Sequence, residues 1–69
     1  MSSSVAKVIE ITSSSSKGFD EAVEAGIKRA SKTVENIQGA WVNDMTVKVK
    51  DGKVCEYRVN MKVTFVIGD

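Results

Sequence analysis

Ala40-Trp41-Val42-Asn43-Asp44-Met45-Thr46-Val47-Lys48-Val49-Lys50, then Asp51-Gly52, then Lys53-Val54-Cys55-Glu56-Tyr57-Arg58-Val59-Asn60-Met61-Lys62-Val63-Thr64-Phe65-Val66-Ile67: this stretch decides the fold. Two long alternating runs flank an Asp-Gly pair, the signature of a two-residue hairpin turn whose central positions both need positive φ. Strands of ten or more residues are well beyond the usual length of about five or six. Counting back from the turn pairs Lys50 with Lys53, Lys48 with Cys55, Thr46 with Tyr57, Met45 with Arg58, Val42 with Met61 and Ala40 with Val63. By parity Cys55, Tyr57, Val59, Met61, Val63, Phe65 and Ile67 share one face, which we assign to a covering helix. The other face takes Gly39, Trp41, Asn43, Met45 and Val47 from one strand, with Val54, Glu56, Arg58, Asn60, Lys62 and Thr64 from its partner. It is part apolar and part charged, and it carries the sole tryptophan.

Working outward, Phe19, Ala22, Val23, Ile27, Ala30, Val34 and Ile37 recur at spacings of three and four, one stripe of a 3.6-residue repeat. The opposite side is Asp20, Glu21, Glu24, Lys28, Lys32 and Glu35. Ser15 or Ser16 suits the N-cap, Asp20 and Glu21 lie at the positive end of the helix dipole, and the helix is expected to end near Asn36. Gly26 interrupts the stripe at a cost of about 1 kcal/mol in helix propensity. Its expected purpose is close approach of helix to sheet. Val5 to Ile11, rich in β-branched residues, reads as a first strand, and Thr12 to Ser16 as a loop. The order is β-α-β-β: an α+β fold, a three-stranded antiparallel sheet partly wrapped around one helix, in a single domain over residues 1–69.

A domain of 69 residues buries only about 60% of the surface its unfolded chain exposes and usually needs a staple. One helix cannot cover both faces of so long a ribbon. Cys55 is the only cysteine and histidine is absent, so neither a disulfide within the chain nor a common zinc site supplies it. Association of copies of this chain is what remains. Ten basic residues against nine acidic, scattered over helix and strands, give no field for nucleic acid. No run approaches the roughly 20 apolar residues of a membrane span, and the N-terminal Met1 to Ser4 lacks a secretory signal's character. The expected location is cytoplasmic, with no nucleic-acid or membrane partner.

The residues Ser14-Ser15 through Gly18-Phe19-Asp20-Glu21-Ala22, Ile27-Lys28-Arg29-Ala30, Thr33-Val34, Asp51-Gly52-Lys53-Val54, Glu56-Tyr57-Arg58-Val59 and Lys62-Val63 with Phe65 resemble the dodecins. These are small proteins that assemble as hollow twelve-subunit shells and bind flavins. The resemblance implies a homo-oligomeric shell, a homododecamer, that is not an enzyme and stores a flat cofactor (riboflavin, FMN or FAD) in clefts between subunits. In that family a tryptophan at the start of the second strand stacks on the flavin ring, and a glutamine in the third strand bonds its pyrimidine edge. Alignment through the turn puts Gly39 at the tryptophan position and Arg58 at the glutamine position. Trp41 lies two residues further on, on the same face and about 7 Å away.

The candidate cofactor-binding residues are therefore Trp41, Arg58, Met45 and Gly39. Trp41 is a stacking platform for a planar ligand or, equally, a subunit contact. Arginine offers donors only, so Arg58 suits a phosphate or carboxylate better than a pyrimidine edge; it can also pair with a carboxylate such as Glu56 of a neighbouring copy. Met45 is packing or ligand lining. The alternative is a shell without flavin, structural or holding another anionic ligand such as coenzyme A, or a metal ion such as calcium through Asp44 and Asp69. Cys55 reads as a small buried hydrophobe, although Lys48 opposite it could activate the thiol. No catalytic or metal-binding constellation is present in the sequence.

Overall fold

The computed structural model describes residues 5–67. They form β1 (Val5–Ser15), α1 (Phe19–Ala30), β2 (Ile37–Lys50) and β3 (Lys53–Ile67), with all three strands antiparallel in the order β1-β3-β2. The expected β-α-β-β order and the hairpin are both present. Asp51 and Gly52 have φ of 54° and 76°, the double positive that an Asp-Gly turn supplies. A Cβ at Gly52 would meet nothing within 4 Å, so any penalty there is purely that of the backbone. Gly52→Val is accordingly expected to cost about 1–2 kcal/mol, read as a lowered urea midpoint at fixed protein concentration; an unchanged midpoint would mean the turn tolerates another conformation.

α1 lies on β1 and β3. Its apolar stripe presses Ala22 against Val59, Met61 and Val63 of the central strand, and these four are fully buried. Ile9, Ile11, Phe19, Val23, Ile27 and Ile37 pack around them. Phe19 meets the Tyr57 ring edge to face, with centroids 5.1 Å apart, which fastens the start of the helix to β3. Gly26 sits where helix and sheet cross: a Cβ there would come within 2.8 Å of Met61 Cε and 2.9 Å of Ser13 Cβ. The expected close approach is thus what the glycine permits.

Four expectations are corrected. β1 runs through Ser15 instead of stopping at Ile11, because Thr12, Ser13, Ser14 and Ser15 pair with Asn60, Val59, Arg58 and Tyr57, and sheet context overrides the weak strand propensity of serine. The helix N-cap is Gly18 without a side-chain bond; the Ser15 hydroxyl instead accepts from the Lys17 amide at 2.9 Å. The helix ends at Ala30, not near Asn36. Ser31 donates its hydroxyl to the Ile27 carbonyl at 2.8 Å, the next amides bond three and four residues back, and Asn36 reverses the chain at φ 64°. Val34 therefore leaves the helix, and Ile37 opens β2 while still packing on the core.

The fourth correction concerns register. Val42 opposite Met61 and Ala40 opposite Val63 hold, but two bulges lie between them and the turn. One leaves Cys55 unpaired in β3, the other Asn43 in β2. Between the bulges the pairing slips by one, so Lys48 faces Glu56, Thr46 faces Arg58, Val47 faces Tyr57 and Met45 faces Val59. Met45 and Val47 thereby move to the helix side of the sheet. Cys55, expected to be buried on that side opposite Lys48, is an exposed free thiol.

The chain is elongated, 57 × 20 × 14 Å, with a radius of gyration of 14.5 Å against about 11 Å for a compact chain of this length. α1 leaves the helix side of β2 open: Val42 is 41% exposed, Met45 51% and Val47 44%. Four fully buried side chains at about 1.5–3 kcal/mol each make a small core for a sheet of this extent.

Candidate functional site

The face turned away from α1 is built by the alternation of all three strands. β3 presents Glu56, Arg58, Asn60, Lys62 and Thr64; opposite them on β2 stand Lys48, Thr46, Asp44, Trp41 and Gly39, and on β1 Ser14, Thr12, Glu10 and Val8 face Arg58 to Thr64. Trp41 is 49% exposed, and the Lys62 ammonium lies 5.9 Å from the centroid of its ring. Gly39 adjoins it on the same face. Its carbonyl accepts from the Thr64 hydroxyl at 3.1 Å, and a Cβ at Gly39 would meet nothing nearer than that same oxygen at 3.9 Å. The fold does not demand glycine there; the residue leaves a flat floor of backbone beside the indole.

The Asn43 bulge closes the other side of Trp41. A bulge directs two successive side chains toward the same partner, and Asn43 Nδ2 donates to Asn60 Oδ1 at 3.1 Å while Asn60 pairs with Asp44 across the strands. Asn60 Nδ2 in turn reaches Thr12 Oγ1 at 3.2 Å and the Ile11 carbonyl at 3.5 Å. This amide chain ties β2, β3 and β1 together beside the platform. It escaped the sequence reading because the bulge that aims Asn43 has no motif of its own. The Asp44 carboxylate is turned onto its own backbone, accepting from the Met45 amide at 3.0 Å.

Of the four candidate residues, Trp41 and Gly39 come together. Arg58 lies four positions along β3 from Lys62, about 13 Å away, and its guanidinium is taken by Glu56 of the same chain at 2.7 Å. The pair that was expected to a neighbouring copy is thus made internally. Met45 is on the opposite side of the sheet, facing Val59 instead of Arg58. Lys62, not Arg58, is the cation at the tryptophan. The signal was available in the pairing of Trp41 with Lys62, which the turn register already implied.

A concavity of about 420 Å³ lies elsewhere, between α1 and β1, walled by Ile9, Ile11, Ser13, Ala25 and Gly26, with Arg29 as its one charged lining residue. A smaller hollow of about 170 Å³ lies at Thr46, Val47, Lys48, Glu56 and Arg58. Neither is lined by Trp41. Among the described residues no group of three or more His, Cys, Asp or Glu is placed to hold a metal ion, and no helix is long and apolar enough to cross a membrane. Asp69 lies outside the described residues.

Among solved structures the chain is similar to the dodecin of Streptomyces davaonensis, at 32% identity and a TM-score of 0.94 over 99% of this chain and 100% of that one. The dodecin of Streptomyces coelicolor matches at 29% identity and a TM-score of 0.93, covering 100% of this chain and 99% of its own. A Mycobacterium tuberculosis protein described as a calcium-chelating antigen, calcium dodecin, with a novel calcium-binding site matches at 31% identity and a TM-score of 0.80, with 93% and 91% covered. No curated protein matches. The family model named Dodecin matches residues 5–68. The chain belongs to the dodecin family.

Proposed function

We propose that this chain is a non-enzymatic binding protein that assembles with copies of itself into a closed shell and holds a flat aromatic cofactor, a flavin, in clefts between subunits at the Trp41 face. The single observation that carries the reading is the half-exposed Trp41 beside the bare floor of Gly39. An indole left open on one face of a sheet is a stacking surface, and the adjoining backbone lets a ring lie close without meeting a side chain. Assembly is supported by the uncovered apolar strip of Val42, Met45 and Val47 and by the elongated outline of the chain. The chemistry is sequestration: stacking removes water from the ring, and a closing subunit limits its release. The ligand sits over Trp41 and Gly39 rather than in the family's tryptophan and glutamine geometry, since those positions hold Gly39 and Arg58.

Because Trp41 is the only tryptophan, its fluorescence reports the site directly. Added riboflavin is expected to quench it with saturation at micromolar concentration, and to co-elute with the protein at the mass of an assembly. Absence of saturable quenching would mean that flavin is not the ligand; elution at the mass of a single chain would remove the shell as well.

A second reading is favoured by the similarity to the calcium dodecin: a shell whose bound species is a cation. With the Asp44 carboxylate turned onto its own backbone and no acidic cluster within the described residues, such an ion would take oxygen ligands from more than one copy. Native mass spectrometry with and without a calcium chelator separates the two, since a chelator strips an ion and leaves a flavin in place.

A further inference from the structure

We infer that Lys62 is the specificity-determining residue of the Trp41 face, and that it selects planar aromatic ligands carrying a negative charge over their neutral counterparts. This rests on the ligand-binding reading above and adds to it the charge of the ligand. Lys62 and Trp41 are partners in the register of β3 and β2, and the ammonium stands 5.9 Å from the indole centroid, in reach of the negative face of the π system. Glu10 is the partner of Lys62 on β1, yet no ion pair joins them; among the described residues the one ion pair is Arg58 with Glu56. The guanidinium of this face already has its carboxylate. The ammonium has an aromatic ring instead.

That difference has a chemical consequence. A ring stacking on the indole face covered by Lys62 must displace the ammonium from it. The displaced group is a compact charge on a flexible four-carbon stem, so it remains within reach of substituents at the edge of the incoming ring. A neutral ligand leaves it with nothing but water in a closing cleft. A phosphate or carboxylate on the ligand supplies the counter-ion that Glu10 does not, and in a partly desolvated cleft such a pair is screened less than on an open surface. Charge selection is thus coupled to stacking through one side chain.

Riboflavin and FMN share the ring and the ribityl chain and differ in the phosphate, which makes them suitable probes in titrations of Trp41 fluorescence. At low salt FMN is expected to bind about fivefold more tightly, the scale of one partly screened charge pair, and the preference is expected to shrink as salt is raised. Lys62→Gln should abolish the preference, so that the two flavins quench Trp41 with equal affinity and the salt dependence of their ratio is lost. Lys62→Arg should keep the preference. Equal affinities in the unaltered protein, or a preference that persists in Lys62→Gln, would overturn the assignment while leaving the Trp41 reading standing, since both flavins still quench. Quenching by neither flavin would overturn both. The salt series uses the unaltered protein, so the test does not depend on either variant folding.

Discussion

Gly26→Val is expected to lose about 2 kcal/mol of stability, and Gly26→Ala a smaller amount in the same direction, although both replace a poor helix former with a better one. Two effects oppose each other. Removing glycine from a helix interior gains at most about 1 kcal/mol, whereas forcing atoms into a filled crossing costs about 1–3 kcal/mol and occasionally more. The crossing wins because of what the new Cβ would meet. Met61 Cε, at 2.8 Å, is the end of a flexible side chain, but Met61 is fully buried and has nowhere to go; Ser13 Cβ, at 2.9 Å, is fixed to the backbone of β1. Urea unfolding followed by circular dichroism, at one protein concentration, measures the change. Ser13→Gly combined with Gly26→Ala is expected to recover part of the loss, a coupling between two residues in contact. A raised midpoint in Gly26→Ala alone would show that helix and sheet separate freely, and the close packing described here would be wrong.

Introducing Asp at both Val42 and Met45 is expected to abolish assembly. These positions lie on the helix side of β2, where α1 does not reach, and are 41% and 51% exposed in the single chain. If neighbouring copies cover them, each carboxylate would be desolvated without a partner, at a cost of several kcal/mol per group. Val42 stands opposite Met61 and Met45 opposite Val59, so circular dichroism of the same sample is needed beside the mass to separate loss of association from loss of the fold of one chain. Gel filtration should show the doubly substituted protein at the mass of a single chain or lost to aggregation. Elution at the mass of the unaltered protein would mean that this strip faces solvent in the assembly and that the contacts lie elsewhere, with the groove between α1 and β1 the next surface to alter.

How much of this was legible in the amino-acid sequence depends on how local each cause is. The turn at Asp51 and Gly52, the element order and the role of Gly26 all follow from patterns confined to a few residues. So does the core of β3, where Val59, Met61 and Val63 alternate without interruption. The helix start does not: the cap expected at Ser15 or Ser16 falls at Gly18. The extent of β1 was not legible, because Ser13 to Ser15 are strand residues only by virtue of Val59, Arg58 and Tyr57 far along the chain. The end of the helix was misplaced because Val34 and Ile37 continue its period by coincidence, while the Ser31 hydroxyl and the reversal at Asn36 end it. The largest consequence came from the bulges at Asn43 and Cys55. A single extra residue moved Met45 across the sheet, away from Arg58, and freed Cys55 from burial.

The central place of β3 in the sheet bears on how the molecule is made. Among the described residues β1 and β2 are not hydrogen-bonded to each other; each pairs with β3, which is synthesised after both. During translation the first strand and the helix must therefore wait, with Ile9 and Ile11 uncovered, until the final element leaves the ribosome and can draw in its neighbours from either side. Residues as far apart as Val5 and Ile67 then have to meet. Such distant closure is slow compared with zipping of the adjacent hairpin, so the ribbon of β2 and β3 is expected to form first and to recruit β1 with its helix afterwards.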